Sequence, residues 1–381
     1  MQRKPTLQNS IVVAFVEKLG DPRASNRWHP IETVMFSLLV GVLCGANDLV
    51  TAAHVAQKKQ RFIERFVPCP HGIPAHDTIG RVLAMLDPVA FAEAFSFFMA
   101  RMTERPVDDV INIDGKTLRG IMNKFIRGKK GAHIDDQVHV VSAFSDLRGY
   151  VLGQFRSRAV VNEVAAAQDL LRLLAINGST VTLDAAHNSV KTLAMIVERG
   201  GNFVVGVKAN NPKLGSAIKN AFRTSQPSVA DETVHAHGRI EHRKYSIVAA
   251  VDDYTRERFP MIKAFVRTER QRITPTGPIR KPAIAYYATS LDPMDRAHIE
   301  ACVRRRWGIE NKPHYVLDVS FDEDQSRVRV GNAAENFARV RHLALNLLRA
   351  DKTEKVSVNG KRFSAATDES YLERIISPFS A

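Results

Sequence analysis

The sequence predicts an α/β protein: a mixed sheet with helices on its faces, a helical N-terminal domain before it and a β-rich insertion within it. Three observations carry that expectation. Apolar residues recur at helical spacing as far as about residue 104, and the pattern then changes to short β-branched runs. From there strands and helical stretches alternate in the order β-β-β-α-β-α-β.

The helical start is read from Ile11, Val12, Phe15 and Val16, from the run at 34–44, from Phe62 and Phe66, and from Phe91, Phe95 and Phe98. Gly20-Asp21-Pro22, the PCPHG stretch at 68–72 and Asp87-Pro88 divide it. Arg105-Pro106 marks its exit, so residues 1–106 form the N-terminal domain. Strands follow at 107–114, 137–144 and 150–155, then a helix over 162–176 that Asn177-Gly178 closes. A strand at 180–184, a helix at 189–199 and a strand at 202–208 complete a three-strand meander feeding βαβ units. Residues 213–290 are β-rich and basic, with strands expected at 245–251, 261–269 and 284–290, and read as an insertion in a core spanning 107–350. Helices at 293–311 and 333–349 end that core, and the polar residues 351–381 read as a peripheral tail.

Composition narrows the class. With 381 residues, a hydrophobic fraction of 45% and a formal charge of +14, the chain is folded and basic, which excludes disordered, collagen-like and coiled-coil classes. Its longest apolar run, 34–46, is too short to span a bilayer, and the N-terminus lacks the pattern of a secretory signal. Cys44, Cys69 and Cys302 have no CxxC spacing, so neither a disulfide framework nor a zinc knuckle is expected. The expectation is a cytoplasmic protein with no membrane partner, whose charge favours a polyanion, nucleic acid first.

Three acids are candidates for chemistry. Asp114 ends an apolar strand in INIDGKTLRG, and Asp184 does the same in STVTLDAAHN, at the sheet edge where α/β folds hold their sites. Glu310, in VRRRWGIENKPHY, has Arg306 one turn before it and Trp307 and His314 beside it. Carboxylates without clustered Cys or His suit a hard cation, Mg²⁺ or Mn²⁺. Two such ions can activate a water or a 3′-hydroxyl and stabilise the leaving oxygen of an in-line phosphoryl displacement. The structural alternatives are a turn cap at Asp114, a helix N-cap at Asp184 and an exposed pair with Arg306 at Glu310.

Lys116, Lys208, Asn210, Arg239, Arg306 and Trp307 are candidate DNA contacts. Lys208, Asn210 and Asn211 in VKANNP either touch phosphate or form the turn that Pro212 rigidifies, and DNA proximity is preferred. Trp307 either stacks on a displaced base or packs the core. His235, His237 and His242 match no zinc spacing and alternate with Arg239 and Arg243, as a basic strand pair facing DNA would. Cys69, His71 and His76 lack a fourth ligand and read as a Pro-rich loop, and Asp318, Asp322, Glu323 and Asp324 as a solvated face.

INIDGKTLRG, VTLDAAHNS, FVVGVKANNPKL, HGRIEHR, RWGIENKPHYVLDVSFDEDQSRVR and NAAENFARVRHLALNLLR occur in that order, preceded by PHGIPAHDTIGRVLAMLDP. Together they resemble the bacterial insertion-sequence DDE transposases of the ISAs type, the group that includes the H-repeat-associated proteins, over roughly residues 10–350. The resemblance implies a ribonuclease-H-like core with a β insertion before the third acid, and a helical N-terminal region associated with binding the element's ends. It maps the catalytic and metal-binding triad onto Asp114, Asp184 and Glu310. It also implies two Mg²⁺ ions with Mn²⁺ able to substitute, terminal inverted repeats and target DNA as double-stranded partners, a homo-oligomer on DNA and a nucleoid-associated location.

The chain departs from the family pattern at several points. Arg306-Trp307 stands where His-Trp is usual, Pro313-His314-Tyr315 where Leu-His-Trp is usual, Ser189 where Gln is common, and Val160-Val161 where Lys-Ser is usual. Proline three residues after Glu310 breaks or kinks a continuing helix. The expected function is metal-dependent DNA strand cleavage and transfer of an insertion element. The alternatives are an inactive relative that binds DNA without cutting it, a non-catalytic DNA-binding regulator, and a stand-alone nuclease.

Overall fold

The computed structural model describes residues 15, 18–25, 27–102, 108–117, 139–157, 163–236, 239–274, 281–306 and 309–376. From Ile31 to Met102 the N-terminal segment is helical, as its spacing predicts, while Ile11, Val12 and Val16 lie outside the described residues. Helix α1 (Ile31–Leu43) is buried almost from end to end, and α2 (Leu49–Lys58) is N-capped by Asp48, whose carboxylate accepts the Thr51 N–H at 2.9 Å. The two approach closely at Gly41, where a Cβ would come within 2.7 Å of the Ala52 Cα. Then come α3 (Gln60–Ile63), α4 (His76–Met85) and α5 (Pro88–Met102). Pro88 starts α5 at no cost in hydrogen bonds, and Asp87 accepts the N–H groups of Val89 and Ala90 at 2.9 and 2.8 Å.

Strands β1 (Val110–Thr117), β2 (His139–Ser145) and β3 (Tyr150–Ser157) precede α6 (Glu163–Leu173), β4 (Thr180–Leu183), α7 (Val190–Glu198) and β5 (Asn202–Val207). Helix α8 (Pro212–Thr224), strands β6 (Ser228–Ala236) and β7 (Arg239–Ala249), helix α9 (Asp253–Arg258), and strands β8 (Ala264–Ile273) and β9 (Ala283–Thr289) follow. Helix α10 (Arg296–Arg305), a π-helical turn (Glu310–His314), α11 (Tyr315–Phe321), α12 (Ala333–Ala350), α13 (Val358–Thr367) and α14 (Glu369–Ile376) close the order.

Along the sheet the strands run β3-β2-β1-β4-β5-β9-β8-β7-β6. The β2–β3 hairpin is antiparallel, β1, β4 and β5 are parallel, and β9, β8, β7 and β6 continue antiparallel from β5. This is the mixed sheet with flanking helices that the sequence predicts. The chain forms two compact units: residues 1–105, 115–174 and 309–381 in one, and 106–114 and 175–308 in the other, with β1 contributing to both. The first unit's core joins Phe36, Phe62, Phe91 and Phe95 to Phe321 and Phe337, and the second's joins Val110, Val204, Ile247, Val266 and Ile299.

Three expectations need correction. The 213–290 block begins with α8, whose Leu214, Ile218 and Ala221 form a buried stripe under an Asn211 cap with Pro212 in its first turn. That stripe is narrow and flanked by lysines, which concealed its period. Within its unit the β-rich block also extends the parallel strands directly, Val205 of β5 pairing with Ala288 of β9. The helix expected over 293–311 stops at Arg305, and a π-helical turn begins at Glu310. Pro313 supplies no N–H to an α-helical ladder, which accounts for the irregular turn around it.

The third concerns residues 351–381. Their composition is polar, yet Tyr371, Leu372, Ile375 and Ile376 are buried in the same core as α1 and α5. Among the described residues no single helix is long and apolar enough to cross a membrane. Replacing Leu372 by alanine is expected to lower stability by about 2–5 kcal/mol in denaturant titrations, as for a core leucine. A loss below about 0.5 kcal/mol would return α14 to the periphery.

Candidate active site

The parallel register of β1 and β4 builds the site's centre. Ile113 pairs with Leu183, so Asp114 and Asp184 follow as the next residues of neighbouring strands about 4.8 Å apart; Asp184 lies just past the end of β4, whereas β1, expected to end at Asp114, continues to Thr117. Two residues back, the buried Thr182 hydroxyl donates to the Asn112 side-chain oxygen at 2.5 Å and ties the strands directly behind the acids. Asp184 caps a short 3₁₀ turn (Ala185–His187), accepting the Ala185 N–H at 2.5 Å. That is the cap reading of Asp184, and it coexists with an outward carboxylate.

Cations surround Asp184. The Lys208 ammonium lies 3.2 Å from its carboxylate and an Arg306 guanidinium nitrogen 3.6 Å. Arg306 also lies over the Tyr287 ring, 5.7 Å from its centroid, and reaches toward the Leu183 carbonyl at 3.5 Å. Burial pushes the Asp184 carboxyl up, but the Ala185 N–H, Arg306 and Lys208 together hold it below the usual carboxylate range. Asn210 donates to the Ala185 carbonyl at 2.6 Å, and Asn211 caps α8 through the Leu214 N–H at 3.2 Å. These two asparagines therefore build the turn beside Asp184, and Lys208 is the member of the trio with an exposed cationic head.

Two hard oxygen donors at adjacent strand ends, one of them held ionised, fit a divalent cation such as Mg²⁺. Among the described residues no group of three His, Cys, Asp or Glu side chains makes a metal site. The side chain of Glu310 lies outside the described residues, and its backbone opens the π-helical turn. Trp307 and His237 also lie outside them, as does the side chain of Arg239, whose backbone pairs with Ala236 in the β6–β7 hairpin. In that hairpin Arg243 is engaged by Glu241 at 2.6 Å, and His242 by the Thr233 hydroxyl at 2.8 Å. His71 packs on Trp28 with ring centroids 4.9 Å apart, in keeping with an ordinary loop at 68–72.

Lys116 corrects the sequence reading. Expected to touch DNA, it is instead held by Asp318, by Glu323 at 3.0 Å and by Asp324 at 3.6 Å. Glu323 is 2% exposed and Asp318 and Asp324 are partly buried against Lys116, so of the acidic run at 318–324 only Asp322 is exposed. Burial pushes the Glu323 carboxyl up, yet Lys116, His342 and Arg341 keep it below the ordinary range. Asp318 shifts up, since its own burial and the neighbouring Asp324 and Glu323 outweigh Lys116. Gly115 sits against the pair formed by His139 and Glu163, which lie 3.3 Å apart, and a Cβ there would come within 2.7 Å of the Glu163 carboxylate. This charge cluster was not legible beforehand, because a solvent loop and a buried ion network have the same composition.

Fold and site together define a mixed-sheet α/β protein with two carboxylates in register on neighbouring parallel strands, one of them set among cations. The chain belongs to the transposase DDE domain family: that family's model matches residues 105–347, and the DDE_Tnp_1-associated family matches residues 13–99. The "H repeat-associated putative transposase YhhI" and the "Putative protein YbfL", both of Escherichia coli K12, are each 31% identical over 91% of this chain and 92% of their own. The "Putative transposase YncI" of Escherichia coli O157:H7 is 31% identical over 92% and 90%. Among solved structures, a piggyBac transposase synaptic complex with hairpin DNA superposes with a TM-score of 0.45 at 10% identity, over 99% of this chain and 84% of that one, too distant a likeness to carry weight.

Two predictions follow from the charge cluster. Lys116→Met leaves the Glu323 carboxylate buried without its ammonium, and is expected to cost about 3–5 kcal/mol by denaturant titration; a neutral result would show that the clamp contributes nothing net. Burial holds His314 and His342 to about 4, against an ordinary 6.5. The unfolded chain therefore takes up protons below pH 6.5 that the folded chain refuses until about 4. Stability should fall as pH drops through that window, by about 1.4 kcal/mol for each unit of pKa difference. Thermal melts of wild type and His342→Gln at stepped pH should show the flatter profile in the variant, and superimposable profiles would refute the assignment.

Proposed function

We propose that this protein is an active DDE transposase that cleaves DNA at the ends of an insertion element and joins the freed 3′-hydroxyl to target DNA. The observation that supports it most directly is the parallel register of β1 and β4, in which Asp114 and Asp184 are the next residues of neighbouring strands, within a chain of the DDE family. Asp114, Asp184 and Glu310 would hold the divalent ions, Mg²⁺ or Mn²⁺. When bound, these ions would supply Lewis-acid stabilisation of a nucleophilic and a leaving oxygen.

The chain's own residues do the rest. The Ala185 N–H, Arg306 and Lys208 outweigh the burial that would favour a neutral Asp184, leaving the carboxylate form that a cation requires. The Thr182–Asn112 bond fixes the separation of the two strands behind the acids. Lys208 and Arg306 neutralise phosphate at the scissile strand, with Asn210 holding the turn that carries Lys208. Terminal repeats and target are double-stranded DNA, and the protein acts as a homo-oligomer that cuts two ends together on the nucleoid.

Purified protein, duplexes carrying the DNA sequences on either side of the gene, and Mg²⁺ or Mn²⁺ provide the test. Asp114→Asn and Asp184→Asn are expected to lower strand cleavage by more than about a hundredfold while retaining duplex binding. Lys208→Ala should reduce the slope of log affinity against log salt by about 0.9. Wild-type protein that binds repeats and cuts nothing would establish the inactive relative in place of the transposase.

A further inference from the structure

Trp28 is 72% exposed, an unusual state for the largest apolar side chain in a domain that buries Phe36, Phe62, Phe66 and Phe91 wholly or in part. Its ring is braced from one side by His71, at 4.9 Å between centroids. It lines a concavity of about 520 Å³ together with Arg27, Arg81 and the half-exposed Met85. Arg23 and Arg27 share a single carboxylate, Asp21, at 2.7 and 3.1 Å, and exposed Arg81 holds the Thr78 hydroxyl at 3.4 Å. Cationic charge therefore exceeds anionic charge around the ring. The concavity adjoins a larger groove of about 1030 Å³, which shares Arg81 and Met85 with it and continues past Arg327 and Arg329; that groove also carries Asp48, Asp77 and Asp322, so the excess of positive charge belongs to the Trp28 concavity.

We infer that Trp28 is the stacking platform of a single-stranded DNA site, in which an unpaired base lies on the indole and the backbone tracks Arg27, Arg81 and Arg327. A flat aromatic face beside guanidinium groups meets both needs of a single strand, a π-surface for the base and positive charge for its phosphates. Bases within an intact duplex are already stacked on one another and offer no face to the indole, so the occupant is an unpaired strand. The braced ring loses little conformational freedom on binding, which favours stacking over a mobile side chain. The site lies apart in the sequence from Asp114 and Asp184, and the inference adds a substrate feature to the proposed transposase: strand ends that are splayed when engaged.

The test is fluorescence anisotropy with the full chain, using a labelled oligothymidylate of about 12 nucleotides and a duplex of the same length. Trp28→Ala is expected to weaken oligothymidylate binding about tenfold or more, with Trp28→Phe recovering most of the loss. Duplex affinity should stay unchanged in both variants. Arg81→Gln should instead lower the salt slope for the single strand by about 0.7. Unchanged oligothymidylate affinity in Trp28→Ala, or an equal loss on the duplex, overturns the inference. Running the same titrations on Asp114→Asn separates the two readings: Trp28-dependent binding without wild-type cleavage removes only the catalytic proposal, and intact cleavage with Trp28-independent binding removes only this one.

Discussion

The parallel pairing of β1 with β4 is the constraint on which the rest depends. β1 contributes residues to both compact units, and its register against β4 decides which side chains emerge together at the strand ends. A slip of one residue would turn Asp114 to the opposite face and place Ile113 beside Asp184. The register is held by apolar contacts on Val110 and Val181, and by the Thr182–Asn112 hydrogen bond one layer behind the acids. A buried polar pair is costly when mismatched, so a slipped register would orphan both groups. The site's geometry is thus set by strand pairing first and by loop chemistry second.

The same logic of polar satisfaction organises the first unit's core. Helix α12 is buried along most of its length yet carries Glu335, Asn336, Arg339, Arg341, His342 and Asn346. Four of them, Glu335, Asn336, Arg339 and Asn346, meet specific polar partners. Asn336 donates to the Leu83 and Leu86 carbonyls at 2.9 and 3.0 Å, satisfying groups that the end of α4 leaves open. Arg339 joins the Glu335 carboxylate to the Gln154 carbonyl, and Asn346 both donates to and accepts from the backbone of Val151 on β3. Arg362 on α13 does for the last turn of α1 what Asn336 does for α4, donating to the Val42 and Ala46 carbonyls. A purely apolar α12 could slide along its neighbours, whereas these directional contacts admit one docking.

The sequence was most legible where one period dominates. The apolar recurrence through Phe91, Phe95 and Phe98, and the β-branched runs around Ile111 and Val181, lead to elements that the structure contains. Legibility failed where burial and composition part company. Helix α8 hides three buried residues among lysines, and α14 hides four within a polar tail. Position 313 signalled a break, but not that the chain would continue through it as a π-helical turn. Asp114 and Asp184 could be picked out as strand-end acids, but their adjacency is a property of a register between segments far apart in sequence, which no local pattern encodes. Lys116 was misread for the same reason, since its three acidic partners lie some two hundred residues further along.

That misreading changes how the positive charge is understood. A formal +14 suggests a surface awaiting a polyanion, yet several of the cations are internal. Lys116 neutralises buried Glu323 and its partly buried acidic neighbours, Arg339 is matched by Glu335, and Arg362 closes a helix end, so none of these is presented to a ligand. What remains outward is more local and more informative than the net figure. Lys208 is 68% exposed on its side chain and reaches Asp184 from a flexible stem, in a pairing that solvent keeps weak. Such a lysine can exchange its carboxylate for a phosphate at little cost, whereas Arg306, packed over Tyr287 and only 16% exposed, has less freedom to leave. In the proposed reaction both cations beside Asp184 therefore meet phosphate in different ways, the lysine by turning to the incoming strand and the arginine from its fixed place over Tyr287.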